Sequence, residues 1–124
     1  MKYKQNEKSN LKEGFPMTPK ECSIIWREIV LIFQNRKDNE TPKEIMENII
    51  QTFGMEKTEE VFATVASIKA NDGRIYGENR TYMNSIPVNP DAVRWERENY
   101  MIHAGLDDIH PTHINQLITQ LRRR

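Results

Sequence analysis

The sequence has little of several features that usually announce a function. It contains one cysteine in 124 residues, so no disulfide can form within the chain and a reducing cytoplasm is the expected compartment. Its five glycines are scattered singly, which excludes a glycine-rich phosphate loop. The longest apolar run, Ile29–Phe33, is far too short to cross a membrane, and the first residues lack the apolar stretch of a secretion signal. We therefore expect a cytoplasmic protein with no membrane partner.

An excess of charge of one sign is also missing. Eighteen Lys and Arg balance eighteen Asp and Glu, so the formal net charge is zero. A basic surface over the whole molecule is therefore excluded, whereas a local basic patch that binds nucleic acid is not.

Catalytic and metal-binding signatures are missing as well. The sequence shows no nucleophile elbow, and its nearest approach to a metal site is His110 and His113 after Asp107 and Asp108. That spacing differs from the His-Glu-x-x-His pattern, and His-Pro is an ordinary way to begin a helix. We therefore expect no enzyme activity, no metal ligand and no cofactor.

What the sequence does contain is a polar arm followed by a series of helix signals. Residues 1–16 carry four lysines and two glutamates and almost nothing apolar, which predicts a flexible N-terminal arm. Residues 17–124 then suit a single helical domain. The arm is interpreted as a solvated leader, with an electrostatic contact to a partner as the alternative.

Two Thr-Pro-Lys-Glu sequences, at residues 18–21 and 41–44, are strong helix starts, because Thr can cap, Pro suits the first position and Glu completes a capping box. Apolar residues at helical spacing follow both, and Gly54 stands where a left-handed cap belongs. Cys22, in the first turn, is interpreted as a packing residue. The Ile29–Phe33 stripe predicts burial in the core, with a homodimer surface as the alternative.

Further helices are expected from residue 57 or 58 to 68, from 78 to 84 and from 111 onward. Asn89-Pro90-Asp91 is typical of a start for a helix to about Asn99, whereas residues 100–103 suggest a short extended segment. The fold class is therefore all-α, or α with that one extended segment. The expected architecture is a single compact bundle of about five helices with short loops.

The densest group of polar residues lies between two apolar segments, at residues 71–79. Asn71-Asp72-Gly73 predicts a turn, since Asn and Gly tolerate positive φ and Asp can bond its following amides. Asp72 and Arg74 are then either partner contacts or parts of the turn, with Arg74 pairing with a carboxylate or a helix C-terminus. Tyr76 and Asn79 are the other side chains expected to be free for a partner.

Arginines interleaved with aromatic residues follow this turn. Arg80, Arg94 and Arg97 could grip phosphates beside stacked bases, or they could cover aromatic faces at a half-buried surface. Glu96 and Glu98 favour the second interpretation. The predicted partner-binding residues are Asp72, Arg74, Tyr76, Asn79, Arg80, Arg94 and Arg97.

Several short blocks together resemble one domain of unknown function that is carried by bacterial conjugative transposons and other mobile elements. These blocks are Glu60–Ala66, Asp72–Ile75, Asn79, Tyr82, Ser85–Val88 and His110-Pro111. The similarity covers about residues 54–124. The chain departs from that pattern in three places, with Tyr76 for Ser, Tyr82 for Trp, and no Trp before Asp72.

This resemblance implies a non-enzymatic accessory protein of a mobile genetic element that binds another protein. A counter-defence inhibitor of the anti-CRISPR kind is the specific form that it suggests. The alternative is a nucleic-acid-binding accessory factor in element transfer or regulation, which would use Arg80, Arg94, Arg97 and the terminal Arg122–Arg124.

Overall fold

Helices account for the secondary structure of the computed structural model, which describes residues 14–124. The described part has seven α-helices, one 3-10 turn and no strand, so the all-α prediction is confirmed. The elements are α1 (Pro19–Gln34), α2 (Pro42–Phe53), α3 (Met55–Ser67), the 3-10 turn (Lys69–Asn71), α4 (Gly77–Asn84), α5 (Pro90–Asn99), α6 (Met101–Leu106) and α7 (Pro111–Arg122). Most of the expected N-terminal arm, residues 1–13, lies outside the described residues. Within residues 14–124, no helix is both long and apolar enough to span a membrane.

The prediction of about five helices was wrong, and two junctions differ from those expected. Gly54 alone joins α2 to α3, because its φ of 89° turns the chain between them, so α3 begins at Met55 instead of Lys57 or Thr58. The extended segment expected at residues 100–103 is also wrong. There the chain turns at Tyr100, whose φ is 54°, and α6 follows at once.

The two Thr-Pro-Lys-Glu starts begin helices where predicted, but only one forms a complete capping box. The Thr41 hydroxyl accepts from the Glu44 amide at 3.2 Å, and the Glu44 carboxylate accepts from the Thr41 amide at 2.9 Å. At the first start, the Thr18 hydroxyl accepts from the Glu21 amide at 3.1 Å. The Glu21 carboxylate instead pairs with Lys57 of α3 at 3.1 Å, which links α1 to α3.

Helix α1 lies at the centre and packs against α2, α3, α5 and α6. Its Trp26 is fully buried, with its ring edge-on to Phe62 at 5.6 Å between centroids. Gly105 lets α6 approach this indole, since a Cβ there would lie 2.8 Å from Trp26 Nε1. Cys22 is buried, and burial raises the pKa of its thiol to about 12, as suits a packing residue.

The Ile29–Phe33 stripe is used mainly in the core. Ile29, Val30 and Phe33 are buried, whereas Leu31 is 52% exposed. Helix α7 packs on α2 and on α4, and α4 packs on α3. The segment between the 3-10 turn and α4 is bonded through Arg74 to α6 and to α7.

Candidate functional site

The side chain of Arg80 stabilises the turn at residues 71–79 through hydrogen bonds. Arg80 donates from Nη1 to the Ala66 carbonyl at 2.7 Å and from Nη2 to Asn71 Oδ1 at 2.7 Å. Its Nε donates to the Ile75 carbonyl at 3.1 Å. One acceptor from α3 and two from the turn therefore meet on a single guanidinium, so Arg80, predicted as a partner-binding residue, makes structural hydrogen bonds.

Asn71, rather than Asp72, organises the turn. Asn71 is buried, and its Nδ2 donates to the carbonyls of Ala66 at 2.6 Å and Ile68 at 2.9 Å. Asp72 adopts a left-handed conformation with φ of 41°, and its exposed carboxylate makes no hydrogen bond within residues 14–124. The interpretation of the Asp72 carboxylate as the group that bonds the turn amides was therefore wrong, because the amide of Asn71 reaches the carbonyls that α3 leaves unpaired.

Asn79 and Asn115 tie the same turn to α7. Asn115 Nδ2 donates to the Arg74 carbonyl at 2.5 Å, and Asn79 Nδ2 donates to Asn115 Oδ1 at 3.1 Å. Arg122 Nε donates to Asn79 Oδ1 at 3.2 Å. Both asparagines are 7% exposed. Asn79, predicted as a partner-binding residue, is therefore buried and connects α4 to α7 by hydrogen bonds. The sequence argument missed Asn115, although a polar residue on the apolar face of an amphipathic helix was a signal for it.

Arg74 donates from Nη1 to the carbonyl of Leu106, the last residue of α6, at 3.2 Å. This contact is the helix C-terminus pairing that was one of its two interpretations. Tyr76, by contrast, has a side chain that is 58% exposed, and Asp72 is exposed beside it. Of the five predicted residues in this turn, these two therefore face solvent.

The remaining two predicted residues lie on α5, away from the internal network of the turn. Arg94 is 66% exposed and pairs with Asp91 at 3.0 Å. Arg97 is exposed and makes no ion pair or hydrogen bond with its side chain in the described part of the chain. The structure thus gathers Asp72, Arg74, Tyr76, Asn79 and Arg80 in one turn and places Arg94 and Arg97 in another region.

Arg97 borders a cleft of about 460 Å³ between the end of α3, the 3-10 turn, α5 and α6. Lining side chains include Ile68, Lys69, Val93, Arg97, Tyr100 and His103. A second cleft, of about 400 Å³, shares Val93 and Arg97 with the first and continues past Arg94 to Val88 and Pro90. We call these two clefts together the α5 groove.

Tyr100 stands exposed at one end of the α5 groove in a fixed conformation. Its φ of 54° and ψ of 25° are left-handed, which costs a residue other than glycine about 1 kcal/mol. The side chain is 59% exposed, and its ring contacts the His103 ring edge-on at 5.0 Å. Strain of this kind persists only where the surrounding structure imposes it.

The group that imposes this conformation is the carboxylate of Glu96. Its Oε1 and Oε2 accept from the amides of Ile102 and His103, each at 2.9 Å, and it also bonds His103 Nδ1. Since α6 begins directly after Tyr100, these bonds satisfy amides that its first turn leaves unpaired. The side chain of Glu96 is 1% exposed, so α5 holds the start of α6 through a buried carboxylate. The contacts of Glu96, Tyr100, Lys69 and His103 were not predicted from the sequence, because no local pattern links these residues.

The histidines near α7 have structural contacts. His110 Nδ1 accepts from the Thr112 amide at 3.1 Å and so caps α7. The His113 ring packs on Phe33 at 4.6 Å, and burial together with Arg36 lowers its pKa. Within residues 14–124, no three His, Cys, Asp or Glu side chains are grouped so that they could hold a metal ion.

Comparison with known proteins identifies a family without a known activity. Residues 27–124 match a family described as "Protein of unknown function (DUF3849)". No curated protein and no solved structure matches the chain. The geometry of the turn and of the α5 groove is therefore the basis for an assignment of function.

Proposed function

The chain belongs to the DUF3849 family of proteins of unknown function, and we propose that it is a non-enzymatic accessory protein that binds another protein through the α5 groove. The observation that carries this proposal is Tyr100, an exposed aromatic residue held rigidly at the end of a cleft that is open to solvent. Tyrosine and arginine are the residues that most often dominate the binding energy of protein interfaces, and the groove presents both.

Rigidity is what makes Tyr100 suited to binding. The buried Glu96 carboxylate holds the backbone on the C-terminal side of Tyr100, and the His103 ring supports the side chain. An aromatic side chain that is already ordered loses little conformational entropy when a partner covers it. The neighbouring half-buried side chain of Val93 offers apolar surface that a partner could remove from water.

The finer proposal concerns the biological setting. The resemblance of residues 54–124 to a domain carried by conjugative transposons supports a role on a mobile genetic element. Such elements benefit from proteins that block a host defence, so we propose a counter-defence inhibitor whose partner is a defence protein, such as a CRISPR nuclease.

Nucleic-acid binding in transfer or regulation is the second candidate, and unpaired Arg97 and Lys69 favour it. Three of the other arginines on the turn and α7 are engaged internally. Arg74 and Arg80 donate to backbone carbonyls, and Arg122 pairs with Glu78 at 3.1 Å and bonds Asn79. Arg80, Arg94 and Arg122, three of the six arginines that this candidate would use, therefore pair with other groups of the chain, which reduces the charge available for phosphates.

Affinity capture of the tagged chain from host cells, followed by measurement of the affinity for each captured protein after purification, tests the proposal. Tyr100→Gly removes the ring while glycine readily adopts the left-handed backbone, so the fold is kept and the affinity should fall about tenfold or more. Tyr76→Ala is the matched control, since Tyr76 is an equally exposed aromatic residue on the turn.

Loss of affinity in Tyr76→Ala with none in Tyr100→Gly would move the interface to the turn. Binding to DNA or RNA with a steep salt dependence, and to no protein, would favour the second candidate instead. For the counter-defence role, co-expression with the captured nuclease should protect an incoming plasmid from cleavage, and cleavage at the normal rate would contradict it.

A further inference from the structure

We propose that the α5 groove receives an acidic segment of the partner protein, whose carboxylates meet Lys69 and Arg97 while an apolar side chain packs on Val93 beside Tyr100. This inference rests on the proposed protein-binding function and names the chemistry of the partner. It follows from the charges that the groove leaves unpaired.

Two cations at the first cleft are unneutralised. Lys69 and Arg97 are both exposed, and neither makes a side-chain hydrogen bond or ion pair within residues 14–124. The carboxylate in the same lining, Glu96, is buried and already accepts from two backbone amides and from the His103 ring. It therefore has little capacity left to pair with either cation, and the rim keeps a positive charge.

A third cation, Arg94, lies next along α5, where it already pairs with Asp91. Arg94 lies three residues before Arg97, on the same side of the helix, and lines the second cleft together with it. Val93 lies four residues before Arg97 and contributes apolar surface to both clefts. A segment lying in the groove would thus meet cations alternating with apolar surface, which suits acidic residues interspersed with aliphatic or aromatic ones.

A nucleic acid fits this surface less well. Of the exposed aromatic side chains in the described residues only Tyr100 lines the groove, whereas binding of single strands uses successive aromatic platforms. Glu98 also lines the other side of α5, where it would repel a long polyanion. A short acidic segment avoids this repulsion because it does not extend beyond the groove.

The chain's own residues 1–13 also fit less well. They carry four lysines against two glutamates, so their charge has the same sign as that of the groove. Charge complementarity therefore favours a partner's acidic segment as the occupant.

Selection of short random peptides displayed on phage against the immobilised full chain tests the inference. Enriched peptides should contain Asp or Glu flanking an aliphatic or aromatic residue, and their affinity should fall as salt is added. Lys69→Glu and Arg97→Glu should each weaken the synthetic peptide about fivefold or more in fluorescence anisotropy. Lys43→Glu makes the same change of charge at an exposed position of α2 and should leave the affinity unaltered.

Several results would overturn the acidic-segment inference. They are enrichment of neutral or basic peptides, enrichment of none, insensitivity to both charge reversals, and tighter binding of a single-stranded oligonucleotide or of a peptide of residues 1–13 to the groove. A captured partner that is weakened by Tyr100→Gly but not by Arg97→Glu or Lys69→Glu would overturn this inference and leave the proposed function standing. A chain that binds no protein would overturn both.

Discussion

Arg80 Nη2 lies 2.7 Å from Asn71 Oδ1, so a side chain of α4 completes the hydrogen bonds of the turn that ends the 3-10 segment. Asn71 in turn bonds two carbonyls at the end of α3. The pair makes the most polar stretch of the sequence a rigid connection between α3 and α4. Among the predicted residues of this stretch, Asp72 and Tyr76 are then the ones that face solvent.

Replacing Arg80 by lysine should destabilise the fold. An ammonium cannot reproduce the three-way contact with Ala66, Asn71 and Ile75, so buried acceptors lose their donors. We expect the free energy of unfolding to fall by about 1–3 kcal/mol in urea denaturation. Arg94→Lys is the matched control, because Arg94 is exposed, and should change it by less than about 0.5 kcal/mol. Equal effects in the two variants would contradict the assigned role of Arg80.

Replacing Glu96 by glutamine should loosen the start of α6. Two backbone N–H groups, of Ile102 and His103, now donate to the two carboxylate oxygens of Glu96. Glutamine keeps only one oxygen, and its NH2 group would face the other N–H, so at least one of the two amides loses its acceptor. Hydrogen exchange of these two amides should accelerate, and stability should fall by about 1–3 kcal/mol. Glu98→Gln, at an exposed position of α5, should leave both amides protected. Unchanged exchange in Glu96→Gln would show that α6 does not depend on this carboxylate.

Glu60 should make stability fall as pH rises. Burial raises its pKa from the ordinary 4.5 to about 7, and the nearby carboxylates of Glu56 and Glu21 add to the effect. Between pH 4.5 and about 7, the folded chain therefore keeps the proton on Glu60, whereas the unfolded chain has lost it. The free energy of unfolding should therefore decrease through that window, by about 3 kcal/mol.

Glu60→Gln should remove this dependence and raise the stability above the window, as measured by urea denaturation at a series of pH values. Glu47→Gln, an exposed carboxyl on α2, is the control and should leave the slope in place. A slope that persists in Glu60→Gln would assign the pH dependence to another group.

Part of the fold follows from local sequence chemistry. Helices α1, α2, α5 and α7 each begin at a proline that follows an N-cap residue: Thr18, Thr41, Asn89 and His110, respectively. The side chain of each N-cap residue accepts a hydrogen bond from an amide of the first turn. A cap and its amide are two or three residues apart, so the pattern is legible without the fold. Most of the apolar stripe within α1 is buried as expected.

The break between α5 and α6 at Tyr100 and the role of Arg80 could not be predicted from local sequence. A left-handed backbone is unfavourable for tyrosine. It is stable at Tyr100 because the buried Glu96 carboxylate accepts a hydrogen bond from the amide of Ile102, just after Tyr100 in the chain. Arg80 becomes a structural residue because its acceptors on Ala66, Asn71 and Ile75 lie within reach in the folded chain. A sequence shows a charged side chain but not the carbonyls that folding brings to it.

The sequence by itself determined the helical class and the starts of α1, α2, α5 and α7, because these depend on residues a few positions apart. The tertiary structure alone decided which polar side chains are consumed internally and which remain at the surface. It placed Asn79 and Arg80 in the internal network and left Lys69, Arg97 and Tyr100 around an open groove. The physical reason is that burial and hydrogen-bond partners are set by contacts between helices distant in the chain.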